Sequence, residues 1–392
     1  MFITVVLAAC GGGASTTEDT VPPPSVGVCI PSDPSTAAEC GSVIIGLTDA
    51  DGDFASYTVD VSELTLERAD GAIVNVLPNR TRIDFSRYVD LTEFISVATV
   101  PPGVYVAGTI GLDYTSAEVF VEEGDTTKAA TVVDADGNAL TQTTLKIMLS
   151  DRDQLMVTRA RASLLTLDFD LDASHTVDIV PTPAIATAEP FIVAEIDPVD
   201  TKEIRVRGRF IETNVDEMHY TVALRPFYDA VNDFGLMKVN VTDATDFEVD
   251  GTTYTGAEGL RAMEAAGQGT LTVAQGTLNV AAREFTANIV LAGSNVPGNG
   301  MDAVKGNVIS RLDNELIVRG GTIILSDATD AARSFFRDDV TVTVGPDTVV
   351  YKTHDTDRAV GAPIRMLDNS AISIGQAVTV RGTVISDDEL GI

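Results

Sequence analysis

From residue 41 onward, apolar and polar positions alternate in short runs between turn signals, the pattern of half-buried strands. Val43-Ile-Ile-Gly-Leu47, Tyr57-Thr-Val-Asp-Val61, Ile73-Val-Asn-Val-Leu77, Val104-Tyr-Val-Ala-Gly-Thr-Ile110 and Leu145-Lys-Ile-Met-Leu149 are such runs. Asp51-Gly52, Asp70-Gly71, Pro101-Pro-Gly103 and Asp136-Gly-Asn138 separate them with residues that tolerate positive φ. Alternation gives each sheet one buried face, so residues 41–196 are predicted to form a β-sandwich of the immunoglobulin or transthyretin-like kind. Asp168, Asp170 and Asp172 alternate with Leu167, Phe169 and Leu171 and read as the wet face of one of its strands.

The carboxy-terminal half repeats itself. Val206-Arg-Gly-Arg-Phe-Ile-Glu-Thr213 recurs as Val304-Lys-Gly-Asn-Val-Ile-Ser-Arg311, and the hairpin Asp216-Glu-Met218 is answered by Asn314-Glu-Leu316. Val239-Asn-Val241 with Thr245 and Phe247 matches Val342-Thr-Val344 with Thr348 and Val350. Leu271-Thr-Val273 and Gly276-Thr-Leu278 match Val378-Thr-Val380 and Gly382-Thr-Val384. Order is kept while the offset grows, which predicts a duplicated β-unit over residues 203–293 and 302–392, each a small OB-like β-barrel. One helix interrupts: Thr255-Gly-Ala-Glu258 reads as a capping box ahead of Leu260 and Met263, and Gly267 ends it. The first repeat continues into Phe285-Thr-Ala-Asn-Ile-Val290, a closing strand, whereas the second stops at Leu390-Gly-Ile392. The expectation is a sequence cut short there, the alternative an open barrel edge awaiting a strand. The fold class is therefore all-β, a sandwich followed by two barrels.

Ahead of the strands the pattern changes. Met1 to Cys10 is an apolar run ending in Leu7-Ala-Ala-Cys10, followed by the polar tether Gly11-Gly-Gly-Ala-Ser-Thr-Thr-Glu-Asp-Thr20 and a Pro/Ser/Thr-rich stretch to residue 40. The run is too short to span a bilayer, which takes about 20 apolar residues. Leu7-Ala-Ala-Cys10 resembles the lipobox of bacterial lipoproteins. That resemblance implies that residues 1–10 are a signal segment and that Cys10 carries a diacylglycerol as the first mature residue. Gly11 after the Cys implies an outer-membrane address by the same analogy. No basic residue precedes the run, unlike an ordinary signal peptide, so the true start is expected upstream. Cys29 and Cys40 are placed to close a small disulfide loop in an oxidising compartment.

Charge narrows the partners. Lys+Arg 26 against Asp+Glu 58 gives a formal net charge of -32 along the whole chain. Such a surface repels nucleic acid and anionic head groups alike, so membrane contact is expected through the lipid on Cys10 and nucleic acid is not expected as a partner. Asp49, Asp51 and Asp53 alternate in a loop, as do Asp134, Asp136 and Asn138, and hard oxygen ligands beside a Gly are what calcium takes. Neither run has the EF-hand spacing or its closing Glu, and tight turns use the same residues. Trp is absent, the three His, His175, His219 and His354, fall in different domains, and no nucleophile elbow exists.

Two family resemblances complete the picture. Val43-Ile-Ile-Gly-Leu-Thr-Asp49, Phe54-Ala-Ser-Tyr-Thr-Val-Asp-Val61, Val89-Asp-Leu91 and Val100-Pro-Pro-Gly-Val-Tyr105 together resemble the domain-of-unknown-function family numbered 4382. That family implies an amino-terminal β-sandwich of a bacterial lipoprotein. The repeated Val-Arg-Gly type strand resembles the uncharacterised envelope family numbered 5666. Neither implies catalytic residues. The leading expectation is a non-catalytic cell-envelope lipoprotein with a protein or glycan partner. Behind it stand a calcium-dependent adhesin or glycan-binding module and, last, a carboxylate-based hydrolase.

Overall fold

The computed structural model describes residues 28–48, 53–87, 92–124, 126–149, 154–159, 162–188, 192–196, 201–226, 229, 232–280, 282, 284–326, 334–345, 348–351, 366–367, 369–386 and 388–391. Cys10, the tether up to residue 27, Asp49, Asp51, the Val89-Asp-Leu91 segment and His354 lie outside them. Nearly all regular structure is strand, as the all-β reading requires, and among the described residues no helix is long and apolar enough to cross a membrane.

Two facing sheets hold the first core. In one, Gly41–Thr48 lies between a parallel neighbour, Ala162–Phe169, and an antiparallel one, Glu93–Val100. In the other, the long strands Phe54–Arg68 and Gly103–Glu123 run antiparallel, with Thr126–Val133 and Gln142–Met148 added along the second. Register shifts at Phe54/Ser56, Thr58/Asp60 and Val61/Glu63 are bulges, which coil the long pair over its partner sheet. Val43, Ile45, Leu47, Leu165 and Leu167 pack with Tyr57, Leu64, Ile110 and Leu112 between the sheets.

One buried face per sheet does not describe the first of these sheets. Ile44, Phe94, Ala162 and Leu164 belong to a second core, made with residues from Ile204 to Ala292. A strand buried on both faces reads as a continuous apolar run. This is why Val43-Ile-Ile-Gly-Leu47 breaks alternation. The acidic stripe is also corrected: the strand ends at Phe169, and Asp170 caps the short helix Leu171–Ser174, its Oδ1 accepting from the Ala173 N–H at 2.9 Å.

The duplication is visible in strand order. Thr201–Asn214 pairs with His219–Leu224, which pairs with Leu236–Asn240. That third strand runs parallel to Glu284–Ala292, and Leu271–Asn279 closes the ring between Glu284–Ala292 and Thr201–Asn214. In the second unit Asp302–Leu312, Glu315–Ile324, Ser334–Thr343, Glu389–Gly391 and Ala377–Ser386 close in the same sequence, the third and last strands again parallel. Counted along each unit the ring reads 1-2-3-5-4, the five-stranded OB-like arrangement. The open edge considered for the second unit is not found, because the short strand Glu389–Gly391 bonds on both sides.

Equivalent hydrogen bonds fix the alignment of the two units. Thr242 N–H donates to Thr245 Oγ1 at 2.9 Å and Gly345 N–H to Thr348 Oγ1 at 2.9 Å. Gly269 N–H meets the Phe210 carbonyl at 2.8 Å and Gly375 N–H the Val308 carbonyl at 2.6 Å. Val241 N–H reaches Met218 O at 2.9 Å, and Val344 N–H reaches Asn314 O at 2.7 Å. Two sequence matches shift accordingly. Met218, not Asp216, corresponds to Asn314, because the second hairpin is tighter. Val206 pairs with Ala274 and Val304 with Val380, so Thr272 and Ala274 answer Val378 and Val380. A shift of one residue exchanges the two faces of a strand, and the sequence match had put Val273 on the wrong one.

The helix spans Gly256–Ala266 with Leu260 and Met263 fully buried, but the Thr255 side chain makes no capping bond, so the predicted capping box is not formed. A Cβ added at Gly259 would fall among the ring carbons of Phe247, itself fully buried. Ala is worth about 1 kcal/mol more than Gly in a helix interior, while overpacking a core costs about 1 to 3 kcal/mol. Gly259→Ala is therefore expected to be destabilising despite its propensity, read as a lower urea midpoint. A gain in midpoint would show that the helix does not rest on Phe247.

Candidate functional site

Cys29 and Cys40 are joined by a disulfide around the turn Pro34–Glu39. Asp33 starts the turn, its Oδ1 accepting from the Ser35 N–H at 2.9 Å, and Thr36 Oγ1 donates to the Ile30 carbonyl at 2.9 Å. Arg159 fastens the loop to the sandwich: its Nε donates to the Glu39 carbonyl and its Nη1 pairs with the Glu39 carboxylate, each at 3.1 Å. Gly41–Thr48 begins directly after Cys40. The disulfide loop is thereby fixed at a defined point on the sandwich.

The candidate calcium loops divide. Of the first, only Asp53 is described; it is exposed, and its carbonyl accepts from the Glu122 N–H at 3.0 Å. In the second, Asp134 Oδ1 accepts from the N–H groups of Asp136 and Asn138, both at 2.9 Å, and Asn138 Nδ2 lies 3.3 Å from both carboxylate oxygens. These bonds, the Asn138 N–H first, hold the Asp134 pKa below its ordinary value. Its lone pairs thus serve the hairpin turn, the bland alternative for this loop. Among the described residues no group of three or more His, Cys, Asp or Glu could hold a metal.

One constellation escaped the sequence. His175 Nε2 lies 2.7 Å from the Tyr57 hydroxyl, which lies 3.0 Å from the Tyr114 hydroxyl. Phe54 and Phe169 pack against the same rings. His175 Nδ1 is 2.9 Å from the Leu171 carbonyl. A carbonyl only accepts, so Nδ1 carries a proton. The Tyr57 hydroxyl donates its one proton to Tyr114, and its oxygen lies against the His175 ring nitrogen. Burial pushes the Tyr114 hydroxyl to about 12 and, with Tyr114 beside it, raises Tyr57 well above its ordinary value. Neither is a nucleophile at neutral pH, and the His175 ring is enclosed between Tyr57 and the Leu171 carbonyl, so this geometry holds a polar chain among aromatic rings in the core rather than an activated nucleophile.

Burial also lowers the His175 pKa, against the opposing pull of the Leu171 carbonyl. The folded protein therefore binds fewer protons here than the unfolded chain, whose imidazole titrates near 6.5. Stability is full above that value and falls as pH drops through it toward the lowered pKa. The urea midpoint is expected to fall between pH 7.5 and pH 5.5, and His175→Phe is expected to flatten this decline. An equal decline in the variant would assign it to other groups.

A second buried charge centre sits where sandwich meets first barrel. Glu93 is fully buried; its Oε2 accepts from Arg205 Nε, and its Oε1 lies 3.3 Å from Arg207 Nε. Arg205 and Glu93 are also backbone partners in a parallel pairing that continues the sandwich sheet into the barrel. Burial alone would raise the Glu93 pKa, but Arg205 and then Arg207 reverse this and hold it below the ordinary value. No family model, curated protein or solved structure matches the chain.

Proposed function

We propose that the chain is a non-catalytic cell-envelope lipoprotein, anchored to the outer membrane by a lipid on Cys10, whose sandwich and two barrels act as a scaffold or binding surface. The observation that carries this reading is the Cys29–Cys40 disulfide at the root of the tether, downstream of Leu7-Ala-Ala-Cys10. Structural disulfides belong to oxidising compartments, and a lipidated Cys followed by Gly/Ser/Thr-rich chain needs a fixed exit point. Residues 11–28 reach at most about 60 Å when fully extended and about 25 Å on average as a flexible coil, enough to lift the folded part clear of the head groups. The net charge of -32 favours that separation from an anionic surface. The sandwich and the repeats are assigned to the families numbered 4382 and 5666 as part of the same proposal.

Cells expressing the chain are labelled with a clickable fatty acid, wild type beside Cys10→Ala. Label on the wild type alone is expected. Equal label on both, or none on either, would remove the anchor from the proposal.

A further inference from the structure

We propose that the outer face of the first barrel binds an oxyanion, a carboxylate or phosphate group, between Arg225 and Arg209 with Arg207 beside them. The register of Thr201–Asn214 with His219–Leu224 pairs Gly208 with Leu224 and Arg209 with Ala223, and the Arg225 N–H donates to the Arg207 carbonyl at 2.8 Å. Arg207 and Arg225 therefore stand directly across from each other, and Arg209 follows two residues along on the same face. The opposite face carries Val206 and Phe210 into the core.

Like charges directly opposite on neighbouring strands repel. This chain has 58 acidic against 26 basic residues, so carboxylates are plentiful. Yet among the described residues Arg209 and Arg225 are held by backbone alone. Arg209 Nη1 donates to the Gly269 carbonyl at 3.1 Å, and Arg225 Nη1 to the adjacent Leu224 carbonyl at 2.7 Å. Among the described residues Arg225 Nε is buried with no acceptor. Neither arginine forms an ion pair among the described residues. Glu93 lies at the other end of the row and is engaged by Arg205 and Arg207. A desolvated guanidinium without a counter-charge is costly, and a planar or tetrahedral oxyanion is the group whose paired oxygens match its fork. Placed between Arg209 and Arg225, it supplies the counter-charge that the two lack among the described residues and screens Arg225 from Arg207.

This inference does not depend on the lipid anchor, and its test does not read lipidation. The purified full chain is titrated with inorganic phosphate and, separately, with galacturonate, against chloride at equal ionic strength, following calorimetric heat and thermal midpoint. A saturable response to phosphate or galacturonate is expected, and the stronger of the two names the source. In Arg225→Gln and Arg209→Gln affinity is expected to fall about tenfold each, while Lys146→Gln, on the far sheet, leaves it unchanged. Absence of a saturable response in the wild type overturns the proposal without recourse to any variant. So does an affinity that survives both arginine replacements in protein with unchanged circular dichroism.

Discussion

Glu93→Gln is expected to destabilise the sandwich and first barrel by about 3 to 5 kcal/mol, the usual cost of removing one partner from a buried ion pair. Gln keeps the shape of the side chain, so packing changes little and the loss reports charge. Two guanidiniums, Arg205 and Arg207, would then share a water-poor seam without the carboxylate that faces them. The sign with pH follows from the lowered pKa: the carboxylate is bound more favourably in the folded state than in the unfolded chain. Its contribution is present above the ordinary value of 4.5 and lost as pH falls through the lowered one. Urea unfolding at pH 7 should separate wild type from variant widely, and at strongly acid pH the two should converge. A difference under about 1 kcal/mol at pH 7 would mean that the seam is solvated and that Glu93 does not lock it.

Glu93 also marks what a sequence conceals. It is separated from Arg205 by 112 positions, and Tyr57 from His175 by 118. Neither pair leaves a local spacing, because the strands that bring the partners together are set by sheet order and not by neighbouring residues. What repeats locally was legible. Thr245 and Thr348 make the same turn in both barrels, Leu260 and Met263 bury the apolar stripe of the helix, and Cys29 and Cys40 close the loop their spacing suggested. Alternation failed where tertiary structure overrode it. Ile44 looks like a defect in a half-buried strand until the first barrel covers that face of the sheet. The match of Leu271-Thr-Val273 to Val378-Thr-Val380 slipped by one residue for a related reason: both faces of that strand carry apolar side chains, so hydrophobicity alone does not set the register.

The two barrels, alike in strand order, are joined to the sandwich by different means, and Phe336→Ala is expected to show it. The first barrel shares its core with Ile44, Phe94, Ala162 and Leu164 of the sandwich sheet, so these two units should melt together. The second has a core of its own, from Val304 to Leu390. It meets the sandwich through the Phe336 ring, 4.9 Å from that of Phe120 and 5.9 Å from the Arg87 guanidinium carbon. Around that anchor Arg87 Nη2 donates to the Gly320 carbonyl and the Thr127 N–H to Asp338 Oδ2, both at 3.3 Å. Among the described residues Thr127 Oγ1, Thr322 Oγ1 and Asp338 Oδ1 are buried there with no partner. Such a seam has little to offset its desolvated polar atoms beyond the aromatic contact. Phe336 is 1% exposed yet lies outside the barrel core, so its truncation should cost about 3 to 5 kcal/mol at the seam and leave the barrel folded. Scanning calorimetry is expected to show the second barrel melting as a separate transition at lower temperature, with the transition of the sandwich and first barrel nearly unmoved. Phe120→Ala should act on the same contact, so the double variant should lose less than the sum of the two single losses. A single transition that shifts as a whole would instead mean that the three units fold as one, with Phe336 part of a common core.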